Sequence, residues 1–308
     1  MTFDELGVSA PICRAITELG YQQPMPVQEA VIPYLLGEPI DLIALAQTGT
    51  GKTAAFGLPL LQNVAKSLEE VPATGTPRAL VLCPTRELCL QIADDLTAYS
   101  KYLPSVRILP VYGGSSIEAQ IRTLRRGVEV IVATPGRLID LMERGAASLE
   151  SISTVVLDEA DEMLTMGFAE SLQTILSQVP EERHLLLFSA TMPKEISSIA
   201  SSYMHKPKEI IVGTKNEGNK NIRHFYYVVS AKHKYLALKR IADYYPDIYG
   251  IIFCRTRKET QEIADQLIRD GYNADALHGE LSQAQRDYVM QKFRIRNLQL
   301  LVATDVAA

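Results

Sequence analysis

The chain has 308 residues and a net charge of −5, which excludes a polycation that coats nucleic acid non-specifically and allows two domains of ordinary size. Apolar residues make up 47% of the sequence, yet no apolar run is long enough to span a bilayer, and the acidic first residues lack the basic start of a signal peptide. We therefore expect a cytoplasmic protein without a membrane partner, in which the four scattered cysteines are buried thiols: Cys13, Cys83, Cys89 and Cys254.

Short apolar strands alternate with helical patterns along the first two thirds of the chain. The strands are predicted at 41–46, 78–83, 107–112, 128–133, 153–158 and 184–189. Longer helical patterns lie between them, for example at 85–103. This alternation predicts a parallel sheet with helices on both faces.

A stretch rich in Gly, Asn and Lys at 210–224 interrupts the alternation and predicts a linker. After it the pattern resumes, with strands predicted at 225–230, 250–255 and 298–303 and helices at 257–271 and 283–294. We predict an α/β protein with a first domain at 1–211, a linker at 212–222 and a second domain at 223–308. Since the sequence stops just after a strand, we expect an incomplete second domain with an unpaired apolar edge.

A phosphate-binding loop is predicted where the first strand ends. Gly49 and Gly51 allow successive backbone N–H groups to point at phosphate oxygens before the next helix starts. Lys52 can reach the β- and γ-phosphates of ATP, and the Thr53 hydroxyl can ligate Mg²⁺. The motif commonly begins with Gly, and the small Ala46 takes that place. The residues predicted to bind ATP here are Ala46, Gln47, Thr48, Gly49, Thr50, Gly51, Lys52 and Thr53.

Three carboxylates directly follow the predicted strand 153–158. Like charges this close cost free energy unless a cation or water offsets them. If this strand lies in the same sheet as the phosphate loop, Asp158 would face Mg²⁺ and Glu159 would orient the attacking water. Taken alone, the same residues could be the acidic first turn of a helix. With the phosphate loop, they predict a catalytic set of Lys52, Asp158 and Glu159.

With AQTGTGKT at 46–53 and DEAD at 158–161, the chain resembles a DEAD-box RNA helicase of the bacterial type over essentially its whole length. The resemblance implies two RecA-like (P-loop NTPase) domains and RNA-stimulated ATP hydrolysis. It also implies that GYQQPMPVQ at 20–28 reads adenine, with Gln28 hydrogen-bonded to the base and Phe3 or Tyr21 packed against it. Asp305 is expected at the ATP as well.

The resemblance further implies RNA contacts in both domains, made to sugar and phosphate and therefore largely independent of sequence. The RNA-binding residues expected in the first domain are Pro84, Thr85, Arg86, Gly113, Gly114, Thr134, Pro135, Gly136 and Arg137. Those expected in the second domain are Arg255, Thr256, His278, Gly279, Arg286 and Thr304. Hydrogen bonds from Ser189 and Thr191 to Asp161 are expected to couple the ATP state to RNA binding.

The family completes its site with an arginine-rich stretch downstream of the ATD sequence, which these 308 residues do not include. We therefore expect them to bind nucleotide but to hydrolyse it slowly. Two other functions stay open: an RNA-binding clamp, chaperone or assembly scaffold, and a DNA translocase, which the DEAD sequence and Gln28 disfavour. Ribosome biogenesis, RNA degradation and cold response are the usual roles of bacterial members, and ribosomal or RNA-decay complexes are possible partners.

Overall fold

The computed structural model describes residues 1–37, 41–71, 75–213 and 222–304. The chain forms two compact units, Met1–Ile222 and Arg223–Ala308, and each contains a parallel sheet. This confirms the predicted α/β class. Residues 214–221, which make up most of the predicted linker, lie outside the described residues, and so does Asp305.

The described part of the first unit contains a parallel sheet of seven strands in the order β3-β4-β2-β5-β6-β1-β7. The strands are β1 Leu42–Leu45, β2 Ala79–Leu82, β3 Ile108–Val111, β4 Val130–Ala133, β5 Thr154–Leu157, β6 His184–Ser189 and β7 Lys208–Ile211. The first six lie where the apolar runs predicted them. The seventh was missed, because it is a mostly exposed edge strand of four residues that begins with Lys208 and Glu209.

Helices cover both faces of this sheet. They are α1 Ala10–Glu18, α2 Pro26–Leu36, α3 Lys52–Glu70, α4 Arg86–Tyr99, α5 Ile117–Arg125, α6 Pro135–Glu143, α7 Ala160–Thr165, α8 Ala169–Leu176 and α9 Lys194–Tyr203. Apolar residues of α1 to α4 form one core with the sheet, and those of α5 to α9 form a second core on its other face. The alternating sides of each strand supply both cores, as expected for a sheet buried on both faces.

The second unit has a parallel three-stranded sheet among its described residues, in the order β8-β10-β9. Its strands are β8 Gly250–Cys254, β9 Ala274–Leu277 and β10 Leu300–Thr304, and its helices are α10 Lys234–Tyr244, α11 Arg257–Arg269 and α12 Gln283–Arg294. A short 3₁₀ turn, Ala231–His233, precedes α10.

Two predictions for the second unit are wrong. Residues 225–230 have strand-forming side chains but form no strand within residues 222–304, and Tyr226 is 88% exposed. A strand needs a partner as well as propensity, and no described strand pairs with this segment. The last strand, β10, is also not an edge, because it pairs with β8 on one side and β9 on the other. The sequence order of parallel strands does not give their spatial order.

The structure adds β9, which the sequence analysis missed because its four residues include Asp275 and form no apolar run. The cysteine prediction holds for Cys83, Cys89 and Cys254, which are buried, whereas Cys13 is partly exposed.

Asp41 links the start of β1 to β6 and to the segment before β7 through hydrogen bonds. Its replacement should therefore destabilise the first unit. Its buried carboxylate accepts hydrogen bonds from the backbone N–H groups of Leu185, at 2.7 Å, and His205, at 2.6 Å. Asp41→Ala would leave the buried Leu185 N–H unpaired and remove the acceptor of the partly buried His205 N–H, so we expect the free energy of unfolding in urea to fall by about 1–3 kcal/mol.

The matched control is Asp140→Ala, because Asp140 makes an exposed ion pair with Arg144 at 2.6 Å on α6. Such pairs contribute about 0.5 kcal/mol or less. Equal losses in the two variants would contradict the role given to Asp41.

Candidate functional site

The sequence-predicted residues of the first unit lie at one edge of the sheet, because the carboxyl ends of parallel strands point the same way. The loops after β5, β6 and β1 are neighbours, and we call them the phosphate-loop half of the edge. The loops after β2, β3 and β4, which carry Arg86 and Arg137, form the arginine half. The two halves meet where β2 pairs with β5, and there the Asp158 N–H donates to the Leu82 carbonyl at 2.9 Å.

The phosphate loop turns sharply between β1 and α3. Gly49 and Gly51 have φ values of 79° and 86°, in the region that favours glycine. A Cβ atom at Gly51 would lie 2.5 Å from Nε2 of Gln28, so a larger residue does not fit without displacing that amide. The turn therefore requires glycine both for its backbone conformation and for its contact with Gln28.

Lys52 is a buried cation at the first position of α3. The residue is 6% exposed, and its ammonium group has no hydrogen-bond partner among the described residues. A buried, unpaired ammonium group costs free energy unless an anion joins it. The positive end of a 19-residue helix adds to the attraction for an anion.

The carboxylates of Asp158 and Glu159 interact electrostatically with the positive charge of Lys52. Burial raises the pKa of Asp158 to about 6, and the charge of Lys52 opposes this rise. Burial also raises the pKa of Glu159, against the charge of Lys52 and a hydrogen bond with Thr48. Glu159 has a φ of 52°, in the left-handed region, at the start of α7. The pocket thus combines one cation with two carboxylates whose charges are only partly balanced.

The structure brings Asp161, Ser189 and Thr191 together. The hydroxyl and the backbone N–H of Thr191 donate to Oδ2 of Asp161 at 2.8 and 2.9 Å. The Asp161 N–H donates to the Ser189 hydroxyl at 3.3 Å, and that hydroxyl donates to the Thr191 carbonyl at 2.7 Å. Burial would raise the pKa of Asp161, but the hydrogen bonds from Thr191 and Ser189 bring it below its usual value. Their coupling role stays a prediction.

Gln28 is anchored inside the protein at both ends of its amide. Its Oε1 accepts from the Met25 N–H at 2.9 Å at the start of α2, and its Nε2 donates to the Gly51 carbonyl at 3.1 Å. One N–H and one oxygen lone pair of the amide take no part in these two bonds, and the residue is 2% exposed. This contact with the phosphate loop does not follow from any local pattern, because 23 residues separate Gln28 from Gly51.

The two aromatic candidates for the adenine differ in exposure. Phe3 is 5% exposed and belongs to the core, so it offers almost no ring surface to a base. Tyr21 is partly exposed, and its hydroxyl lies 2.9 Å from that of Tyr99. The ring centroids of Phe3 and Tyr21 are 6.3 Å apart. Of the two rings, that of Tyr21 is the more accessible to a ligand, and the buried ring of Phe3 packs near it.

The arginine half contains Arg86 at the start of α4, Arg137 in the first turn of α6 and a glycine pair after β3. Thr85 caps α4 by accepting from the Leu88 N–H at 3.2 Å, and Pro84 precedes it. Arg86 lies over the ring of Tyr112 at 5.0 Å. Thr134, Pro135 and Gly136 begin α6, and Gly113 and Gly114 follow β3.

Arg137 is held in place by residues that the sequence analysis missed. Its Nη1 donates to the Ser115 carbonyl and to Oε1 of Gln120, both at 3.1 Å. Gln120 interrupts the apolar stripe of α5 between Ile117 and Leu124. A polar residue at an apolar position of a helix is the signal that could have identified it.

In the second unit, the described candidate residues other than Arg286 also lie at the carboxyl ends of parallel strands. Arg255 and Thr256 follow β8, His278 and Gly279 follow β9, Thr304 ends β10, and Arg286 is on α12. Thr256 caps α11 by accepting from the Glu259 N–H at 3.1 Å. His278 is buried, with Nε2 3.0 Å from Oε1 of Gln261.

Two family models match this chain. The DEAD/DEAH box helicase model matches residues 25–199, and the helicase conserved C-terminal domain model matches residues 233–308. The chain belongs to the DEAD/DEAH box helicase family. The resemblance drawn from the sequence motifs is therefore confirmed.

Curated relatives from bacteria are similar over the whole of this helicase-family chain. It is 44% identical over 307 residues to the ATP-dependent RNA helicase DeaD of Escherichia coli (strain K12), covering 100% of this chain and 48% of the relative. It is 46% identical to the DEAD-box ATP-dependent RNA helicase CshA of Geobacillus kaustophilus, covering 64% of that protein. The chain thus spans about half the length of the DeaD relatives.

Solved structures of the family share the fold. A DEAD box protein from the hyperthermophile Methanococcus jannaschii is 37% identical, with 99% of this chain and 80% of that chain covered and a TM-score of 0.62. Dbp5 of S. cerevisiae bound to RNA and ADP BeF3 is 29% identical, with 99% and 76% covered and a TM-score of 0.85.

The residues present fit a magnesium ion that is held together with phosphates. The parts of this DEAD-box chain that the structure describes contain no group of three or more His, Cys, Asp or Glu side chains able to hold a metal alone. The Asp158 carboxylate and the Thr53 hydroxyl are hard oxygen donors, and Mg²⁺ is usually held by one or two carboxylates plus substrate phosphates. Among the same residues, no helix is both long and apolar enough to cross a bilayer.

Burial of Asp158 should lower stability at neutral pH. Its pKa rises from an ordinary value of 3.8 to about 6 in the fold, so the folded state holds the proton more tightly than the unfolded state. The resulting destabilisation is fully present above pH 6 and disappears as the pH falls towards 4. Without ligands, Asp158→Asn should therefore raise the free energy of unfolding by about 3 kcal/mol at pH 8 and by little at pH 4.

Urea unfolding of the nucleotide-free protein across this pH range measures the effect. Glu150→Gln, which changes an exposed carboxylate, serves as the control and should show no such gain. A constant difference between Asp158→Asn and the wild type at all pH values would contradict the raised pKa.

Proposed function

We propose that this chain is the core of an ATP-dependent RNA helicase, an enzyme that couples ATP hydrolysis to the local opening of short RNA duplexes. One observation carries the proposal: the buried ammonium group of Lys52 has no hydrogen-bond partner in the described structure and stands at the end of a phosphate loop, in the field of Asp158. This arrangement suits a polyanion that binds together with a divalent cation.

In the proposed complex, the N–H groups of the loop 47–51 and the Lys52 ammonium bind the phosphates of ATP. Asp158 and Thr53 would hold Mg²⁺, which when bound neutralises negative charge on the β- and γ-phosphates. Glu159 orients the attacking water, and Gln28 keeps Gly51 in place through the amide contact at 3.1 Å while it offers its remaining donor and acceptor to adenine.

RNA is proposed to bind along the arginine half of the edge. Helix starts at α4 and α6, the glycine pair 113–114 and the charges of Arg86 and Arg137 suit sugar and phosphate oxygens. Groups of this kind contact sugar and phosphate, which carry no sequence code, so we propose binding that depends little on sequence. The S. cerevisiae Dbp5 structure with bound RNA supports RNA as the partner.

The two sites are proposed to act on each other through Asp161, Ser189 and Thr191, since this group lies after β5 and β6, beside the junction of the two halves. ATP and RNA would both favour one closed state of a two-domain clamp, so each ligand raises the affinity for the other. Hydrolysis and phosphate release would then let the RNA go. A cytoplasmic location and ribosomal or RNA-decay complexes belong to this proposal as well.

Replacement of Lys52 should weaken nucleotide binding without destabilising the fold. A charge-assisted hydrogen bond to phosphate contributes about 1.5–3 kcal/mol, so Lys52→Met should raise the dissociation constant of a fluorescent ADP roughly 10- to 100-fold. Lys66→Met on the exposed face of the same helix is the control and should bind like the wild type. Unchanged affinity in Lys52→Met would count against the phosphate loop.

Replacement of Glu159 should separate binding from turnover. Glu159→Gln keeps the shape of the side chain but loses the charge that orients water, so we expect it to bind ATP and RNA and then to release RNA more slowly than the wild type. Fluorescence measurement of RNA dissociation after ATP addition tests this expectation in a version of the chain extended by the family's arginine-rich stretch, with Glu162→Gln on the exposed side of α7 as the control.

RNA release from Glu159→Gln as fast as from the wild type would refute the ATP-gated scheme. A duplex-opening assay on the same extended version of the chain, without substitutions, separates the helicase from the alternative of an RNA-binding clamp or scaffold. RNA retention without duplex opening would favour the alternative.

A further inference from the structure

The loop after β3 is the least supported part of the arginine half. β3 is an edge strand, and β4 is its only partner among the described strands. Its loop contains the pair Gly113 and Gly114, and Gly114 has a φ of 82°. Glycine loses more conformational freedom on ordering than any other residue. A loop of this kind binds phosphate well only if other groups hold it in one conformation.

Gln120 connects the two ends of this loop through hydrogen bonds. The residue lies in the first two turns of α5 and is 6% exposed. Its Nε2 donates to the Tyr112 carbonyl at 3.2 Å and to the Ser115 hydroxyl at 2.7 Å, one residue beyond each end of the glycine pair. The Ser115 hydroxyl also donates to the Tyr112 carbonyl at 3.3 Å. Both amide hydrogens of Gln120 are therefore used to fix the glycine pair between two anchored residues.

The same amide orients the arginine of the neighbouring loop. Oε1 of Gln120 accepts from Nη1 of Arg137 at 3.1 Å, and Nη1 also donates to the Ser115 carbonyl at 3.1 Å. Nε and Nη2 of Arg137 take no part in these two bonds, and Arg137 is partly exposed. Because the amide of Gln120 is neutral, it orients the guanidinium group without cancelling its charge.

We propose that Gln120 is a positioning residue for RNA binding, which sets the glycine loop 113–114 and Arg137 as one rigid phosphate-binding surface. The inference rests on the proposed function, because it assigns a role within the same RNA site. Gln120 does not contact RNA itself and acts through Arg137 and the loop. An amide with a purely structural role would affect stability alone and would leave both RNA affinity and its salt dependence unchanged.

Two substitutions of similar size separate the loss of positioning from the loss of charge. Gln120→Met removes all three hydrogen bonds of the amide. Gln120→Glu keeps an acceptor for Arg137, adds a negative charge beside it and loses the donors to Tyr112 and Ser115. The matched control is Gln62→Met, because Gln62 is also a bridging amide, accepting from the Ser9 N–H at 2.7 Å and donating to the Gly7 carbonyl at 3.0 Å away from this loop.

The experiment measures binding of a fluorescein-labelled oligouridylate to the 308-residue protein by anisotropy, with a nonhydrolysable ATP analogue and Mg²⁺, at several salt concentrations. We expect both Gln120 variants to bind RNA about tenfold more weakly than the wild type, since each loses at least two hydrogen bonds that order the surface. For Gln120→Glu, the slope of log affinity against log salt should become shallower by up to about 0.7, the contribution of one phosphate contact with a single strand. Fluorescent ADP affinity should stay at the wild-type value.

RNA affinities and salt slopes of both variants equal to those of the wild type would overturn the positioning role while leaving the proposed function intact. A loss in Gln62→Met as large as in Gln120→Met would overturn it too. If Gln120→Met fails to fold, as judged by lost ADP binding, the salt slope of Gln120→Glu decides alone. A wild-type protein that binds no RNA would reject the proposed function and the positioning role together.

Discussion

Parallel strand pairing is the constraint on which the site depends. Lys52 and Asp158 are far apart in sequence but close enough for their charges to interact, because the strands that lead to them, β1 and β5, run the same way on either side of β6. The same rule places the glycine pair, Arg86 and Arg137 on the rest of the edge. A single register therefore fixes the spacing between the phosphate loop and the arginine half, and a change in strand order would separate them.

Burying the charged groups of this site lowers the free energy of unfolding, and the two apolar cores of the first unit offset that loss. Lys52 and Asp158 are buried and Glu159 is partly buried, and burial raises the pKa of both carboxylates although the charge of Lys52 opposes the rise. The two apolar cores on either face of the sheet supply the stability that tolerates this arrangement. A pocket that was fully paired without ligands would gain stability and would bind phosphates and metal less well.

The sequence predicted the parts of the fold that rest on local pattern. The six apolar runs of the first unit became strands, and the spacing of Gly49, Gly51 and Lys52 identified the phosphate loop. What it missed depends on contacts between distant residues. Residues 225–230 have strand propensity without a strand partner, and β10 lies between β8 and β9 although it comes last in the chain. The burial of Phe3, the anchoring of Gln28 on Gly51 and the bonds of Gln120 to the glycine loop likewise follow from tertiary packing, which no local pattern records.

The central claim is that Lys52 and Asp158 form one triphosphate pocket. A crystal structure with a nonhydrolysable ATP analogue, magnesium and a single-stranded RNA tests it most directly. The account predicts the terminal phosphate within hydrogen-bonding distance of the Lys52 ammonium group, with magnesium on the side of Asp158 and Thr53. A nucleotide bound elsewhere, or magnesium remote from Asp158, would contradict it.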